Sequence, residues 1–559
     1  MKKWIGIIIV LSVVTAFSQA WYIEAVDTLG NVGQYASLAI DAQNRPHIAY
    51  FYADSAFLRY ATWNGSTWEM ENVDRNTGVG GVGLYASLAL GPLTQRPQIA
   101  YYDMADGALK WAHLNDLDQW EYGVPFVGLD DVGQGCDIAI GVQGSDEIPH
   151  FAFYDVTTDY LLYARPLGAA WSRDTVDTMA SDQISIALDP SGSPHIAYYA
   201  NNGTEGFLKY AHLVSGAWVI DTVDYIAANN LGLYPDIVIT SNNIPYINFY
   251  DSTTNRFKYA RWTGSAWTID VIDNSPGTGM YGAQILGSTY VSYYDMSNAD
   301  LKYGYSKTYL SWHNESVDTT GDVGQYTSIA LTHKKDLVYP HIAYYDVTNG
   351  DLKYATRIIK DVLPTVMVAP PKIVRPDSTY IPAVTVLNQG NTVAACSVTC
   401  VIKYQGLDVH HSVRMIDPPL NVDEETQITF DPWTVLGYND AWYNVTFRTW
   451  MADDSVPQND SLRDSVHATN TGIIEALVPL KLDIAVFGKD VVLSLPNATQ
   501  GEVYLFDVTG SRRITLESGI LSAGEHKYSL DKRALPNGVY FVRFSSPVAN
   551  LTRKAILVR

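Results

Sequence analysis

The chain reads as an all-β protein: a seven-bladed β-propeller closed by its own N-terminal strand, followed by two β-sandwich domains. Three observations carry that reading. A P-H-I-A-Y-Y-D segment recurs, starting at Pro46, Pro97, Pro149, Pro194, Pro245, Thr289 and Pro340. An L-K-Y-A segment follows each copy, from Leu58 to Leu352. A W-x-I-D-T-V-D segment recurs at Trp21, Trp68, Trp120, Trp171, Trp218, Trp267 and Trp312. This tryptophan segment opens the series and is missing after the last L-K-Y-A. Such an offset is expected when the opening strand completes the final blade.

The proline-anchored segments are spaced by 51, 52, 45, 51, 44 and 51 residues, a period that suits propeller blades. Each repeat holds four short apolar stretches; in the second they fall at 85–90, 98–102, 109–112 and 120–124. Turn-forming pairs such as Gly91-Pro92 and Asp106-Gly107 separate them. Four short antiparallel strands make one blade. A middle strand packs on both faces, so it should be continuously apolar, as His195-Ile196-Ala197-Tyr198-Tyr199 is. Each recurrent tryptophan can bury about 200 Å², an upper bound of roughly 5 kcal/mol. The seventh blade has no outermost strand unless residues 21–26 supply it. Closure of this kind removes an open sheet edge.

After Arg357 the period stops. Residues 361–377, rich in Pro and Val, read as a boundary. A second unit then shows strand-like stretches at 383–387, 395–404, 427–430 and 442–449. A last unit alternates strands with glycine turns: V-Y-L-F-D-V-T-G at 503–510, L-P-N-G-V-Y-F at 535–541 and K-A-I-L-V-R at 554–559. The expected organisation is a leader at 1–20, the propeller at 21–358, an immunoglobulin-like sandwich at 359–470, a linker at 471–479 and a C-terminal sandwich at 480–559.

Residues 1–20 have the build of a secretory signal: Lys2 and Lys3, an apolar run over 4–17, and Ser18 and Ala20 before a cut ahead of Trp21. The run is short for a bilayer span, and no later segment is apolar enough for a transmembrane helix. A formal net charge of −22 argues against nucleic acid, whose phosphates need clustered Lys and Arg. Only three cysteines occur. Cys396 and Cys400 would share a strand face about 13 Å apart, too far for a disulfide. They read as small buried thiols.

Candidate chemistry falls on the loops. Those after P-H-I-A-Y-Y-D and those after W-x-I-D-T-V-D gather at one end of the ring. The first set places Asp103, Asp155, Asp251, Asp295 and Asp346 there as candidate ligand-binding residues. The second adds Asp27 with Asn31, and Asp318 with Asp322, the latter pair a candidate calcium site. Hard oxygens suit Ca²⁺ or sugar hydroxyls; the same side chains also close their own turns. No other cofactor is suggested. His47, His150, His195 and His341 recur in four blades and read as hydrogen-bonded structural groups. No G-x-S-x-G, H-E-x-x-H or phosphate loop stands in a fitting context, and no catalytic residue is assigned.

Over residues 21–357 the repeats resemble the sialidase-like and BNR-type propellers of secreted bacterial proteins. Asp189-Pro190-Ser191-Gly192 is a partial echo of that family's S-x-D-x-G-x-x-W box. The tryptophan-aspartate pairs of WD40 blades and the recurrent double glycines of kelch blades are missing. A sialidase would imply three arginines gathered on a carboxylate and a tyrosine with an acidic partner. Arg45, Arg59, Arg96, Arg165, Arg256 and Arg261 are among the arginines of the repeats. V-L-N-Q-G-N-T at 386–392 and D-D-S-V-P-Q-N-D-S-L at 453–462 resemble CARDB-like adhesion modules. The motifs of the last unit resemble the C-terminal sorting domain of type IX (Por) secretion substrates, which implies transport across the outer membrane. The expected function is therefore an exported cell-surface or secreted binding and adhesion protein. Its partners would be a glycan or surface protein and the type IX machinery. A sialidase-like glycoside hydrolase and a non-catalytic structural scaffold are the alternatives.

Overall fold

Strand-forming residues in each repeat pair in sequence order. In blade one, Val32–Ile40, Pro46–Tyr52, Phe57–Trp63 and Trp68–Asp74 form an antiparallel meander. Its first turn is held by Asp41, whose Oδ1 accepts the N–H groups of Gln43 and Arg45 at 2.9 and 2.8 Å. Asn44 there adopts φ 61°, a left-handed conformation that Asn tolerates well. The computed structural model describes residues 21–470 and 483–557, apart from 76–80, 126–130, 169, 226–229, 286–289, 307–310, 335–336, 452–453, 488–489, 496–498, 523, 531–534 and 547–549. The leader at 1–20 and the linker expected at 471–479 lie outside the described residues.

Seven four-stranded sheets follow one another round a ring. The seventh combines Val323–Lys334, Leu337–Asp346 and Asp351–Arg357 with Trp21–Asp27, which pairs antiparallel with Asp351–Arg357. The chain is thus an all-β propeller whose opening strand closes the ring. Apolar clusters fill the spaces between neighbouring blades. At the closing boundary, Val26, Ala343, Leu352 and Tyr354 pack with Val32, Ile48 and Tyr50 of blade one. The second strand of each blade is buried on both faces; every residue of Pro97–Asp103 is buried.

The Y-Y-D end of the second strand is a staple to both neighbours. A buried tyrosine hydroxyl needs an acceptor. The first tyrosine finds it on the preceding blade's outermost strand: Tyr101 donates to Asp74 at 2.8 Å, Tyr198 to Asp177 at 2.6 Å, Tyr293 to Asp273 at 2.7 Å and Tyr344 to Asp318 at 2.7 Å. The second tyrosine often reaches the following blade, as when Tyr102 donates to Asp131 at 2.6 Å, Tyr294 to Asp322 at 2.8 Å and Tyr345 to Asn31 at 2.7 Å.

Beyond the ring, a three-stranded sheet (Val362–Ala369, Ala383–Asn388, Glu425–Thr429) faces a five-stranded one that includes Ser397–Tyr404, Ala441–Trp450 and Ser461–Ala468. Trp433, Tyr443 and Phe447 fill the core between them. Cys396 and Cys400 are free and buried there, as Cys136 is in the ring. The last unit packs Asp490–Leu495 and its partner strands against Thr499–Asp507, Arg512–Leu521, Gly538–Ser545 and Asn550–Leu557. No helix among the described residues is long and apolar enough to cross a membrane.

Candidate functional site

The five loop aspartates do not form an open ring of ligand oxygens. Asp103, Asp155, Asp251, Asp295 and Asp346 are all buried. One oxygen of each accepts backbone N–H groups of its own turn: Asp103 from Ala105 at 2.9 Å and Asp106 at 3.2 Å, Asp155 from Thr157 at 2.9 Å, Asp251 from Thr253 at 2.9 Å, Asp295 from Ser297 at 3.0 Å and Asp346 from Asn349 at 3.0 Å. In several blades the other oxygen meets the lysine of L-K-Y-A: Lys110 on Asp103, Lys258 on Asp251 at 2.6 Å, Lys353 on Asp346 at 3.5 Å. Each closes its own turn, and Asp103, Asp251, Asp295 and Asp346 also face a lysine of the same blade.

The calcium expectation meets the same obstacle. Asp318 Oδ2 accepts from Tyr344 and from the Lys353 ammonium, so a positive charge already stands where the ion would. Burial pushes the Asp318 carboxyl upward, but these donors outweigh it and hold it below the usual carboxylate range. Asp322 accepts from Tyr294 instead. No group of three or more His, Cys, Asp or Glu side chains able to hold a metal occurs among the described residues.

The recurrent histidines are structural. His150 Nδ1 lies 2.6 Å from the Tyr163 hydroxyl, and His47, His195 and His341 meet Tyr60, Tyr210 and Tyr354 in the same way. Burial pushes His150, His195 and His341 down to about 4, so they are neutral at physiological pH.

What remains is the axis. The first strands of all seven blades line a cavity of about 550 Å³. Each carries an open inner edge whose N–H groups need acceptors. A side chain from the preceding blade provides them. Leu88 N–H donates to Ser37 Oγ at 2.9 Å, Ile186 N–H to Asp137 Oδ2 at 2.7 Å, Ile237 N–H to Ser185 Oγ at 3.2 Å, Gln284 N–H to Asp236 Oδ2 at 2.6 Å and Leu38 N–H to Ser328 Oγ at 3.0 Å. Two of these acceptors are carboxylates. Burial raises Asp137, and burial with the neighbouring Asp137 charge pushes Asp236 up to about 7.

Above this belt sits a collar of tyrosines. Tyr35, Tyr85, Tyr234, Tyr281 and Tyr326 occupy the same bulge in five blades, all with φ between 50 and 54°. A bulky residue pays a steric cost in this region, and such strain gathers at functional positions. Neighbouring rings lie with centroids 4.7 or 4.8 Å apart in the order Tyr85, Tyr35, Tyr326, Tyr281, Tyr234. Burial, then the charge of Asp182, raises the Tyr85 hydroxyl, which donates to Asp182 Oδ2 at 2.8 Å.

Blades three and four break the collar. Gly135 takes the bulge in blade three with φ 57°; a Cβ there would sit 2.1 Å from the Asp182 carbonyl oxygen. Blade four has no tyrosine at the collar position and brings Asp182 and Gln183 to the wall. Gln183 Oε1 accepts the Tyr234 N–H at 2.7 Å. The result is an aromatic arc with one acidic, hydroxyl-rich notch.

Among the described residues, no arginine, lysine or histidine lines this cavity. Arg59 pairs with Asp27, Arg45 with Asp41 and Arg96 with Asp116, each in its own blade or at its own boundary. The structure therefore does not assemble the three-arginine carboxylate clamp in the axial cavity. The collar was missed in the sequence because tyrosine is abundant, at 39 residues. The G-x-Y-A-S pattern at Gly33 and Gly83, whose tyrosine is replaced by Gly135 and Gln183, carries the signal.

The fold and cavity define an all-β propeller with a polar, aromatic axial chamber. No family model matches the chain. No curated protein matches it either. Among solved structures it is similar to AofleA from Arthrobotrys oligospora, at 11% identity over 75% of this chain and 94% of that one, with a TM-score of 0.37. An α-L-arabinofuranosidase from Lactobacillus brevis is similar at 8% identity over 40% of this chain and 84% of that one, with a TM-score of 0.26. The CARDB domain of a Pyrococcus furiosus protein, solved in complex with di-metal ions, is similar at 17% identity over 20% of this chain and 94% of that domain, with a TM-score of 0.17.

Proposed function

We propose that this chain is an exported recognition protein whose propeller binds a glycan through its axial cavity without turning it over. The observation that carries the reading is the broken collar. Five strained tyrosines repeat round the axis, and the repeat fails where Gly135 and Asp182 open a polar notch. Apolar faces with a few convergent hydroxyl and carboxylate groups suit a polyhydroxylated ligand. Export rests on the leader-like residues 1–20 and on the resemblance of the last unit to type IX sorting domains. The sialidase-like kinship of the repeats belongs to the same reading, as an ancestry of the scaffold.

A glycan array, paired with a sialoside hydrolysis assay, tests the proposal on the chain from residue 21 onward. Binding without turnover, weakened at least 10-fold in Tyr281→Leu for a glycan seated in the axial cavity, is expected. Sialoside turnover would move the protein to the hydrolases. Silence in both assays would leave a structural scaffold.

A further inference from the structure

A second cleft opens away from the axis, where blades seven and one meet the first sandwich unit. It encloses about 730 Å³. Its floor is aromatic: Trp63 and Trp68 meet edge to face at 5.7 Å, and Trp68 packs on Tyr354 at 5.3 Å. The floor is rigid. Trp68 Nε1–H donates to Glu24 Oε1 at 2.9 Å, and the Tyr22 hydroxyl donates to Glu24 Oε2 at 3.0 Å.

The roof comes from the sandwich, at Gly390, Asn391, Thr392, Val422 and Asp423. Contacts that hold it down include Lys334 with Asp423, the Tyr339 hydroxyl donating to the Gln389 carbonyl at 3.0 Å, and Asn391 Nδ2–H donating to the Arg357 carbonyl at 2.7 Å. Lys334 and Tyr339 belong to a hairpin that runs on to Lys334 and Leu337, longer than the corresponding hairpin of blade one.

Two buried polar atoms at this roof have no partner among the described residues: Thr392 Oγ1, in the lining, and Gln389 Oε1, just behind Gly390. Gln389 is only 4% exposed. A buried polar atom without a protein partner is satisfied by an ordered water or by a ligand that displaces it. An aromatic floor beneath unpaired hydrogen-bonding groups is the arrangement that a sugar ring fits, with its C–H face on indole and its hydroxyls to the roof.

We propose that this cleft is a carbohydrate subsite taking one sugar ring, stacked on the Trp63–Trp68 floor and hydrogen-bonded to the Thr392 hydroxyl. It is independent of the axial cavity and shares no residue with it. The ring has an internal control. Trp262 and Trp267 form the same pair in blade five, at 5.5 Å, without belonging to this cleft.

Saturation-transfer NMR with a panel of methyl glycosides (hexopyranosides, fucopyranoside and arabinofuranoside) tests the assignment on the chain from residue 21 onward. At least one glycoside should give a signal that falls at least 10-fold in Trp63→Ala and several-fold in Thr392→Val. The signal should be unchanged in Trp262→Ala, whose tryptophan pair lies outside the cleft. Thr392→Val exchanges the hydroxyl for a methyl of nearly the same size, and an unchanged Tm of that variant ties its loss of signal to the hydroxyl. A panel with no signal, or one that survives both Trp63→Ala and Thr392→Val, overturns the subsite. Loss of signal in Tyr281→Leu alone would place all binding at the axis and overturn it as well.

Discussion

The loop rim and the axial collar are built from the same repeat and do opposite things. At the rim, aspartate recurs in nearly every blade, and each copy is buried, turn-bonded and often paired with lysine. At the axis, tyrosine recurs in five blades and is replaced in two, where the chamber gains its acidic notch. Repetition in this ring marks what holds it together. Departure from repetition marks where it differs from a bare scaffold.

The largest effect that can break this comparison is at the seam. Deleting residues 21–27 removes the strand paired with Asp351–Arg357 and the packing of Trp21 and Val26. Large-to-small losses at single core sites cost about 2–5 kcal/mol each. The truncated ring should therefore lose well over ~5 kcal/mol and melt far below the intact chain in calorimetry. Equal melting would contradict closure.

A smaller effect follows from the histidines. Their folded pKa values near 4 lie below the unfolded value of about 6.5. The unfolded chain thus binds protons that the folded ring refuses. Stability is full above pH 6.5 and falls as pH drops through about 4. The triple variant His150→Gln, His195→Gln, His341→Gln, which borrows the Gln98 of blade two, should flatten that slope between pH 6.5 and 4 in denaturant titrations. An unchanged slope would remove the histidines from the acid response.

The smallest effect is a gain. Asn248 stands where blades one to four and blade seven have Ala49, Ala100, Ala152, Ala197 and Ala343. It is fully buried, and neither amide atom has a partner among the described residues. Gly282 of the next blade leaves it room, since a Cβ there would approach Asn248 Oδ1 to 3.3 Å. An unsatisfied buried amide costs about 1–3 kcal/mol. Asn248→Ala should raise the melting temperature by an amount worth about 1 kcal/mol, and a fall would show that the amide is satisfied by water.

Much of the ring was legible before any coordinates. The offset of the tryptophan segments required Trp21–Asp27 to join the last blade, and the buried second strands read as continuous apolar runs. The rim was misread because the partner of each aspartate lies across a turn. Nothing in the string of letters says that the Lys353 ammonium reaches both Asp318 and Asp346. The collar was hidden for a different reason. Tyr35 and its counterparts face the axis only because a bulge turns them there, between Gln34 and Ser37 in blade one. Strand alternation alone would point those side chains at a neighbouring blade.

The central claim is that ligand recognition resides where the repeat is broken and stability where it is kept. Affinity for an array-identified glycan and Tm, measured together on Asp182→Asn and Asp318→Asn, test it most directly. Asp182→Asn should lose affinity at least 10-fold with Tm nearly unchanged. Asp318→Asn, which weakens a buried pair with Lys353, should lower Tm and leave the affinity of the folded protein intact. The reverse pattern, with glycan binding lost at Asp318 and untouched at Asp182, would contradict the account.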